Sequence, residues 1–444
     1  MHDQEREKFS FSNNSYNLPI RLPIAIGITN FTIFEIMLKL IPRYLLLLLF
    51  MLGFGLLAYF NVLMDDDLVM LRGVQAHDIV GATIDHYDSW NTRWMSFLFL
   101  HTWMSFWTED NSPLLYHLFT LGSLFFVSDL FLRSLQTNKS LSAFTSTGDR
   151  IFKSGLFTAA IIISTFHIGD TWFWVNTSTM YGWNLIALLG AVSITIQPLR
   201  NKFIQDSLIT FLGLYVGGAA EPAVVCLFII LVVVLIFKTD STQEYRNHII
   251  NFLIGMGVSF GIALAGDGHS KREAVLPDLS IVDWLIHSGY FSAKIAFIHA
   301  PLRIFLVLTL LYPIFSNNSS TTKLSVSKGT LYAVMALLFV VVLHTYFITY
   351  VMGDYGPPRA WSFIGLVSVL LVAWWLFHYV NKIPVVAIHI STLISVFIIA
   401  YVVYIQAIEL PPYSTYVKKV KAKELLFDVK EVPKSGLLHR MSFY

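Results

Sequence analysis

The stretch YLLLLLFMLGFGLLAYFNVLMDDD, residues 44–67, decides the fold class of this chain. Its apolar part, residues 44–63, has the length of about 20 residues that a helix needs to cross the hydrocarbon core of a bilayer. Three carboxylates, Asp65, Asp66 and Asp67, follow it directly. The stretch therefore predicts a membrane-spanning helix that ends in an acidic cluster.

The composition of the whole chain agrees with this prediction. Of 444 residues, 55% are hydrophobic and only 13% are charged, whereas a soluble domain has roughly 25% charged residues. Further apolar blocks, such as residues 385–407, repeat the length of the first. The net charge of +2 argues against a nucleic-acid partner, and the single Cys226 excludes a disulfide framework and a cysteine-based metal site. We expect an all-α polytopic protein whose first partner is the lipid bilayer.

The apolar blocks predict about eleven spans. They are residues 42–63, 113–133, 152–168, 181–198, 204–219, 223–238, 249–266, 295–315, 330–351, 360–380 and 384–408. Residues 94–107 are also apolar, but they are too short to cross comfortably and they contain His101. We expect them to form a helix that lies in the outer interface.

Basic residues concentrate in alternate short loops, which predicts a cytoplasmic N-terminus. On this topology residues 1–41 form a cytoplasmic arm with an amphipathic interfacial helix. Residues 42–408 form the transmembrane domain, and residues 64–111 are its first outer loop, with interfacial helices. Residues 409–444 form a basic tail on the outer side. The expected location is a bacterial inner membrane, crossed several times.

The aspartate triplet, Asp65, Asp66 and Asp67, is the first candidate for chemistry. Adjacent carboxylates repel one another and favour either proton uptake or a bound cation. The triplet therefore suits a general base, a divalent-metal site or both. A solvated acidic stop at a helix end is the simpler alternative. The same loop carries Trp90 and Arg93, which add a stacking and a cationic side chain.

Glu221 follows the small residues 217–220, between two short apolar runs. Small residues let helix backbones approach closely. A hairpin of short helices that ends below the membrane surface would place Glu221 in a cavity. The alternative is a hairpin tip with Glu221 in headgroup water.

Two further outer loops, residues 266–272 and 353–359, combine glycine with basic side chains. Exposed backbone N–H groups and cations suit a phosphate or diphosphate, although a basic residue at this depth also commonly reaches for lipid headgroups. The candidate ligand-binding residues are His269, Lys271, Arg272, Tyr355 and Arg359.

Trp174 lies in the stretch 169–182, which is unusually polar for the end of a span. Tryptophan is typical of the aromatic belt at a membrane surface. Sugar rings also stack on aromatic faces, so both roles stay open for Trp174.

These features together resemble the GT-C superfamily of integral membrane glycosyltransferases. A first span followed at once by outer aspartates, a loop of interfacial helices and many later spans carry the resemblance, which covers residues 42–380. More narrowly, the chain is similar to a bacterial branch with an aromatic–x–x–Arg element, here residues 90–93. That branch also has a glutamate after small residues, here Glu221, and a later outer arginine, here Arg359. Leu68 stands where the branch has an aromatic residue.

The resemblance implies an inverting glycosyltransferase. It would move a sugar from a polyprenyl-phosphate carrier to a glycan, lipid or protein acceptor on the outer, periplasmic face. Asp66 or Asp67 would be the general base, and Glu221 would orient the acceptor or hold a cation. Four basic residues would neutralise the leaving phosphate: Arg93, Lys271, Arg272 and Arg359. No cofactor is certain, and a divalent cation at the aspartate triplet is left open.

Two alternatives belong to other functional classes. A flippase or transporter of a lipid-linked glycan needs polar groups through the whole membrane depth, and Asp206 and His344 are candidates in the inner half. A non-catalytic membrane subunit of an envelope complex needs only an outer face that docks a partner.

Overall fold

The computed structural model describes residues 65–89, 92–108, 113–137, 146–197, 199–236, 240–268, 280–315, 326–352 and 356–379, together with isolated positions outside these ranges. Every secondary-structure element in these residues is helical, and no strand occurs among them, which confirms the all-α fold class. Four predicted elements lie wholly or largely outside the described residues: the interfacial helix within residues 1–41, the spans at 42–63 and 384–408 and the tail at 409–444. They stay predictions.

Twelve helices of ten or more residues form the described part of the chain. In chain order they are α1 Asp65–Ser89, α2 Trp94–Met104, α3 Leu114–Thr137, α4 Thr147–Ser164, α5 Trp183–Ile196, α6 Lys202–Gly217, α7 Glu221–Ile236, α8 Asp240–Leu264, α9 Ile281–Lys294, α10 Ala300–Phe315, α11 Val326–Met352 and α12 Ser362–Tyr379. The shorter elements are the π-helical turns Gly169–Phe173, Ser178–Gly182 and Ile295–His299, the short helix Val175–Thr177 and the 3-10 turn Pro358–Trp361.

Among the residues that the structure describes, six helical stretches are long and apolar enough to cross a membrane, judged by length and composition. They are Leu114–Gln136, Val175–Ile196, Tyr245–Leu264, Ile281–Phe315, Ser327–Met352 and Pro358–Tyr379. Large apolar side chains on two of them, such as Phe297 and Tyr350, are exposed, as expected where a helix faces lipid rather than water. The chain thus has the character of a membrane protein, and the count of about eleven spans stays a prediction.

Three predicted spans, at 152–168, 204–219 and 223–238, correspond to shorter helices. α4, α6 and α7 have 18, 16 and 16 residues. A helix of 16 residues is about 24 Å long, which is less than the hydrocarbon thickness of about 30 Å. None of the three is among the six stretches above.

Residues 281–294, which lie between the predicted spans at 249–266 and 295–315, are helical. Ser280 and Asp283 begin α9 with a reciprocal cap: the Asp283 N–H donates to the Ser280 hydroxyl at 3.1 Å, and that hydroxyl donates to the Asp283 carboxylate at 2.7 Å. Such a cap satisfies one of the main-chain N–H groups at a helix start, and the second bond holds the two side chains together. α9 then continues through a π turn into α10, so the apolar stretch is 35 residues long.

Residues 64–111, which are predicted to form the first outer loop, contain two helices that pack against each other. α1 bends at Asp78, whose φ is +62°, and the Asp78 carboxylate restarts the helix by accepting the N–H groups of Val80 and Gly81 at 2.8 and 2.9 Å. α2 has only 11 residues and packs against α1. Its His101 is buried, and the ring Nδ1 lies 2.8 Å from the Thr83 hydroxyl. The histidine is therefore a hydrogen-bonded part of the helix pair.

The centre of the bundle is the stretch Val175–Ile196, which is 72% buried, whereas Tyr245–Leu264 is only 28% buried and lies at the periphery. This second stretch belongs to α8, which packs against α6 at very close range although it is peripheral. A Cβ added at Gly217 on α6 would clash with the Met256 carbonyl, and one added at Gly255 on α8 would clash with the Thr210 carbonyl. Backbone contact at glycine is a common way for helices to associate in membranes.

We expect Gly255→Ala to lower the midpoint of thermal unfolding in detergent, because the new methyl group would push α8 away from α6. Overpacking of this kind typically costs about 1–3 kcal/mol. Gly257→Ala is the matched control, since it lies on the same helix and an added Cβ would meet nothing within 4 Å. Equal midpoints for the two variants would contradict the proposed contact.

Acid should destabilise the α1–α2 pair. Burial, and then the neighbouring His86, lower the pKa of His101 to about 4, whereas an unfolded histidine takes up its proton at about pH 6.5. The unfolded state therefore binds more protons, and stability falls as the pH drops from about 6.5 toward 4.

The measurement is the unfolding midpoint at about pH 7 and at about pH 5. His101→Gln should show a smaller drop than the wild type because it removes the group that resists protonation. His287→Gln, at an exposed position, is the control. A drop that is unchanged in His101→Gln would show that this histidine is not a source of the acid sensitivity.

Candidate functional site

Residues 169–182, named here the central segment, are where candidate residues from distant parts of the chain come together. The segment consists of two π-helical turns with a short helix between them. Trp174 separates the first turn from the short helix and has an extended backbone, with φ −85° and ψ 114°. π turns occur frequently at functional sites, so the broken helix marks this region.

Side chains from several helices hold the central segment in place. The Tyr215 hydroxyl donates to the Thr179 carbonyl at 2.6 Å. The Thr171 and Ser362 hydroxyls lie 2.8 Å apart, and both side chains are buried. The first of these bonds pairs a main-chain carbonyl of the interrupted helix, and the second ties the segment to α12 through side chains.

The aspartate triplet divides into different environments. Asp67 is fully buried, and its carboxylate accepts the main-chain N–H of Asn176 at 2.8 Å. Asp66 is exposed. The side chain of Asp65 lies outside the described residues. Among the side chains that are described, no group of three or more metal-ligating residues comes together, so a cation at the triplet stays a prediction.

Arg93 and Glu221, which are 128 residues apart in the sequence, form an ion pair. The Nε atom of Arg93 lies 3.1 and 2.9 Å from the two carboxylate oxygens, and Nη2 lies 2.8 Å from one of them. The Arg93 side chain is 6% exposed and that of Glu221 is 13% exposed. The pair is therefore almost completely removed from solvent.

The surroundings of this pair explain its position. Glu221 is the first residue of α7, where a carboxylate interacts favourably with the helix dipole. Arg93 also contacts the central segment, with its guanidinium 5.8 Å from the Tyr181 ring centroid. Burial alone would lower the pKa of Arg93, but the Glu221 carboxylate raises it above its usual value. The Arg93 guanidinium is thus ionised although it is buried.

A second ion pair lies at the start of the central segment. Arg359 Nη1 is 3.0 Å from the Asp170 carboxylate, and the Arg359 guanidinium is 5.1 Å from the centroid of the Trp174 ring. His167 completes the group, because its Nδ1 lies 3.1 Å from the other Asp170 oxygen. These four residues are named here the Asp170 centre. A cation, a carboxylate, an imidazole and an indole thus share one site.

The Asp170 centre is more accessible than the Arg93–Glu221 pair. The side chains of Arg359, Asp170 and His167 are 25%, 24% and 15% exposed. Burial works to raise the pKa of Asp170, but the hydrogen bonds and charges of His167 and Arg359 lower it below its usual value. Asp170 is therefore an ionised carboxylate within reach of a ligand.

Two polar atoms in the central segment are buried without a hydrogen-bond partner in the described structure: the Trp174 indole N–H and the Asn176 amide oxygen. Most buried polar groups in proteins have a partner, and an exception calls for an explanation such as a ligand. The two atoms would supply one donor and one acceptor to a hydroxylated molecule.

A further buried cation lies next to the Asp170 centre. The Arg303 guanidinium on α10 is 3.9 Å from the Phe166 ring centroid, and Phe166 precedes His167 directly. The Phe166 ring also contacts Trp361, at 6.3 Å between centroids. Positive charge around the centre favours an anionic ligand.

Part of this arrangement is predicted by the sequence, namely Arg93, Glu221, Arg359 and Trp174. The contact of His167 with Asp170 is not. The only local signal was the three-residue spacing between His167 and Asp170 at the end of an apolar run. Five further candidates lie outside the described residues: Trp90, His269, Lys271, Arg272 and Tyr355.

Comparisons with protein-family models, with curated proteins and with solved structures found no match to this chain.

The buried ion pair generates a test of stability. Removing one partner of such a pair leaves an uncompensated charge and typically costs about 3–5 kcal/mol. We expect Arg93→Met and Glu221→Gln each to lower the unfolding midpoint in detergent strongly. The double variant Arg93→Met/Glu221→Gln should lose less than the two single losses added together, since no charge is left unpaired. Strictly additive losses would show that the two side chains do not depend on one another.

Proposed function

We propose that this protein is a membrane glycosyltransferase that takes its sugar from a polyprenyl-phosphate carrier on the outer face. The observation that carries the proposal is the Asp170 centre, in which Arg359, Asp170, His167 and Trp174 meet at a partly exposed site. A sugar linked to a lipid phosphate requires three groups: a cation for the phosphate, a surface for the sugar ring and a base for the acceptor.

Arg359 is suited to the phosphate. The leaving lipid phosphate gains negative charge as its bond to the sugar breaks, and a preorganised guanidinium stabilises that charge in the transition state. Arg359 donates through Nη1 to Asp170, so its orientation is set before a ligand arrives. The planar guanidinium has further N–H groups for phosphate oxygens.

Trp174 is suited to the sugar. Its ring lies beside the Arg359 guanidinium, which places a stacking surface next to the phosphate position. Its indole N–H has no partner among the described residues and would donate to a sugar hydroxyl. The Asn176 amide oxygen, two residues along, would accept from another.

The aspartate triplet has two proposed roles. The Asp67 carboxylate is buried and accepts a main-chain N–H of the central segment. Its proposed role is therefore to position the segment rather than to contact the sugar acceptor. Asp66 is exposed, and of the two residues predicted as the general base, Asp66 and Asp67, it is the one that we propose for that role.

A transporter is the weaker proposal. The polar candidates for it are held in local contacts: the Asp206 carboxylate lies 3.1 Å from His248 Nδ1, and His344 Nε2 lies 2.9 Å from the Ala360 carbonyl. Neither contact brings together a cation and a stacking surface, as the Asp170 centre does.

The test is Arg359→Gln, measured as transfer of radiolabelled sugar from polyprenyl-phosphate glucose, mannose or arabinose in membranes that contain the protein. Loss of one preorganised charge contact to the transition state typically lowers the rate about 10²–10³-fold, and we expect a loss of that order.

Arg133→Gln is the matched control, because Arg133 also pairs with an aspartate, Asp129, at 2.6 Å, in a part of the chain expected on the cytoplasmic side. A wild-type protein that transfers none of the three sugars, or an Arg359→Gln variant as active as the control, would remove the support for the proposal.

A further inference from the structure

The contacts of His167 decide which nitrogen of its ring carries the hydrogen. The main-chain N–H of Asp170 donates to Nδ1 of His167 at 3.0 Å, and a nitrogen that accepts a hydrogen bond holds a lone pair. A neutral imidazole has one N–H group and one lone pair, so the hydrogen is on Nε2. His167 therefore presents a donor at the ring nitrogen that does not contact Asp170.

Protonation of the ring does not remove this donor. Nδ1 also lies 3.1 Å from a carboxylate oxygen of Asp170, and in an imidazolium it would donate to that oxygen instead. The charged ring carries a hydrogen on both nitrogens. Nε2 is thus a donor in both states of the ring, and a ligand that approaches it meets an N–H group.

The open hydrogen-bonding groups of the Asp170 centre are mostly donors. Nε2 of His167 forms no hydrogen bond within the described part of the chain, and the side chain is 15% exposed. Arg359 contacts Asp170 through Nη1, which leaves its other N–H groups for a ligand. The Trp174 indole N–H has no partner among the described residues. The Asp170 carboxylate, in contrast, has His167 and Arg359 on its two oxygens.

A phosphate group matches this pattern better than a hydroxyl group does. An ionised phosphate oxygen accepts hydrogen bonds, and its several oxygens allow donors from separate side chains to bind it together. A hydroxyl group both donates and accepts, so a donor such as Nε2–H uses only part of its capacity. Arg359 lies at the centre and Arg303 lies against Phe166, the residue before His167. Their positive charge also favours an anion.

We propose that His167 is a second phosphate-binding residue of the Asp170 centre, which donates its Nε2–H to an oxygen of the lipid phosphate beside Arg359. This inference rests on the proposed function and deepens it, because it adds a contact to the phosphate and leaves the general base at Asp66. Asp170 contacts both His167 and Arg359. It therefore orients the imidazole and the guanidinium before a ligand arrives.

Two substitutions separate the Nε2 donor from the Nδ1 contact. The side-chain oxygen of asparagine takes the place of Nδ1 and accepts the Asp170 N–H, but asparagine has no atom at the position of Nε2. The longer glutamine side chain brings its amide nitrogen, which is a donor, near the position of Nε2 and lacks the acceptor at Nδ1. His167→Asn therefore keeps the contact beside the first π turn, and His167→Gln keeps the contact with the ligand.

The experiment measures the affinity of the purified full chain in detergent for farnesyl phosphate, farnesol and inorganic phosphate. A hydrogen bond to a charged group is typically equivalent to about a 10- to 100-fold difference in affinity. His167→Asn should therefore bind farnesyl phosphate at least about tenfold more weakly than the wild type.

His167→Gln and the exposed-site control His287→Gln should bind farnesyl phosphate nearly as tightly as the wild type. Farnesol, which has no phosphate, should show no difference among the variants. The unfolding midpoint should follow the opposite order, with His167→Gln below His167→Asn, because only glutamine loses the contact with the Asp170 N–H.

Three results would overturn the inference while the proposed function stands. They are unchanged binding of farnesyl phosphate by His167→Asn, equal losses in His167→Asn and His167→Gln, and a loss that is as large for farnesol as for farnesyl phosphate.

Two results would instead remove the proposed function. A wild-type protein that binds farnesyl phosphate no more tightly than farnesol would remove the phosphate from the site, and the inference with it. Inorganic phosphate that binds as tightly as farnesyl phosphate would remove the lipid carrier, while the contact of His167 with phosphate stands.

Discussion

The hydrogen bonds that end on the central segment are the constraint on which the rest of the structure depends. A helix broken by two π turns and an extended residue exposes main-chain groups that find no water inside a helical bundle. Asp67 and Tyr215 supply partners for Asn176 and Thr179. Those partners come from helices that are far apart in the chain. Hydrogen bonding of the main-chain groups in the broken segment therefore brings distant helices together.

The two ion pairs that contact this segment differ in their degree of burial. Arg93 and Glu221 are almost fully buried and bonded through several atoms, which suits a contact that holds helices together and leaves little room for a ligand. Arg359 and Asp170 are partly open to solvent and share their site with an indole and an imidazole. The first pair is thus closed to a ligand and the second is open to one, because the degree of burial differs.

The sequence was sufficient for the helical class and for the positions of most apolar helices, because the length of an apolar run is a local property. It also singled out Arg93, Glu221 and Arg359, since charges beside apolar runs are rare. It could not pair Arg93 with Glu221 across 128 residues, because that pairing follows from helix packing. His167 escaped notice because one histidine after an apolar run has no distinctive pattern until Asp170 and Arg359 are seen beside it.

The glycine contact between α6 and α8 has a consequence for how this protein diverges. Where two main chains touch at Gly213, Gly217 and Gly255, even a methyl group has no space, whereas lipid-facing positions tolerate almost any apolar residue. Accumulated substitutions would remove the overall sequence similarity between homologues long before they changed these three glycines. Distant homologues are therefore best recognised by two glycines four residues apart on one helix, followed about 40 residues further along the chain by a single glycine.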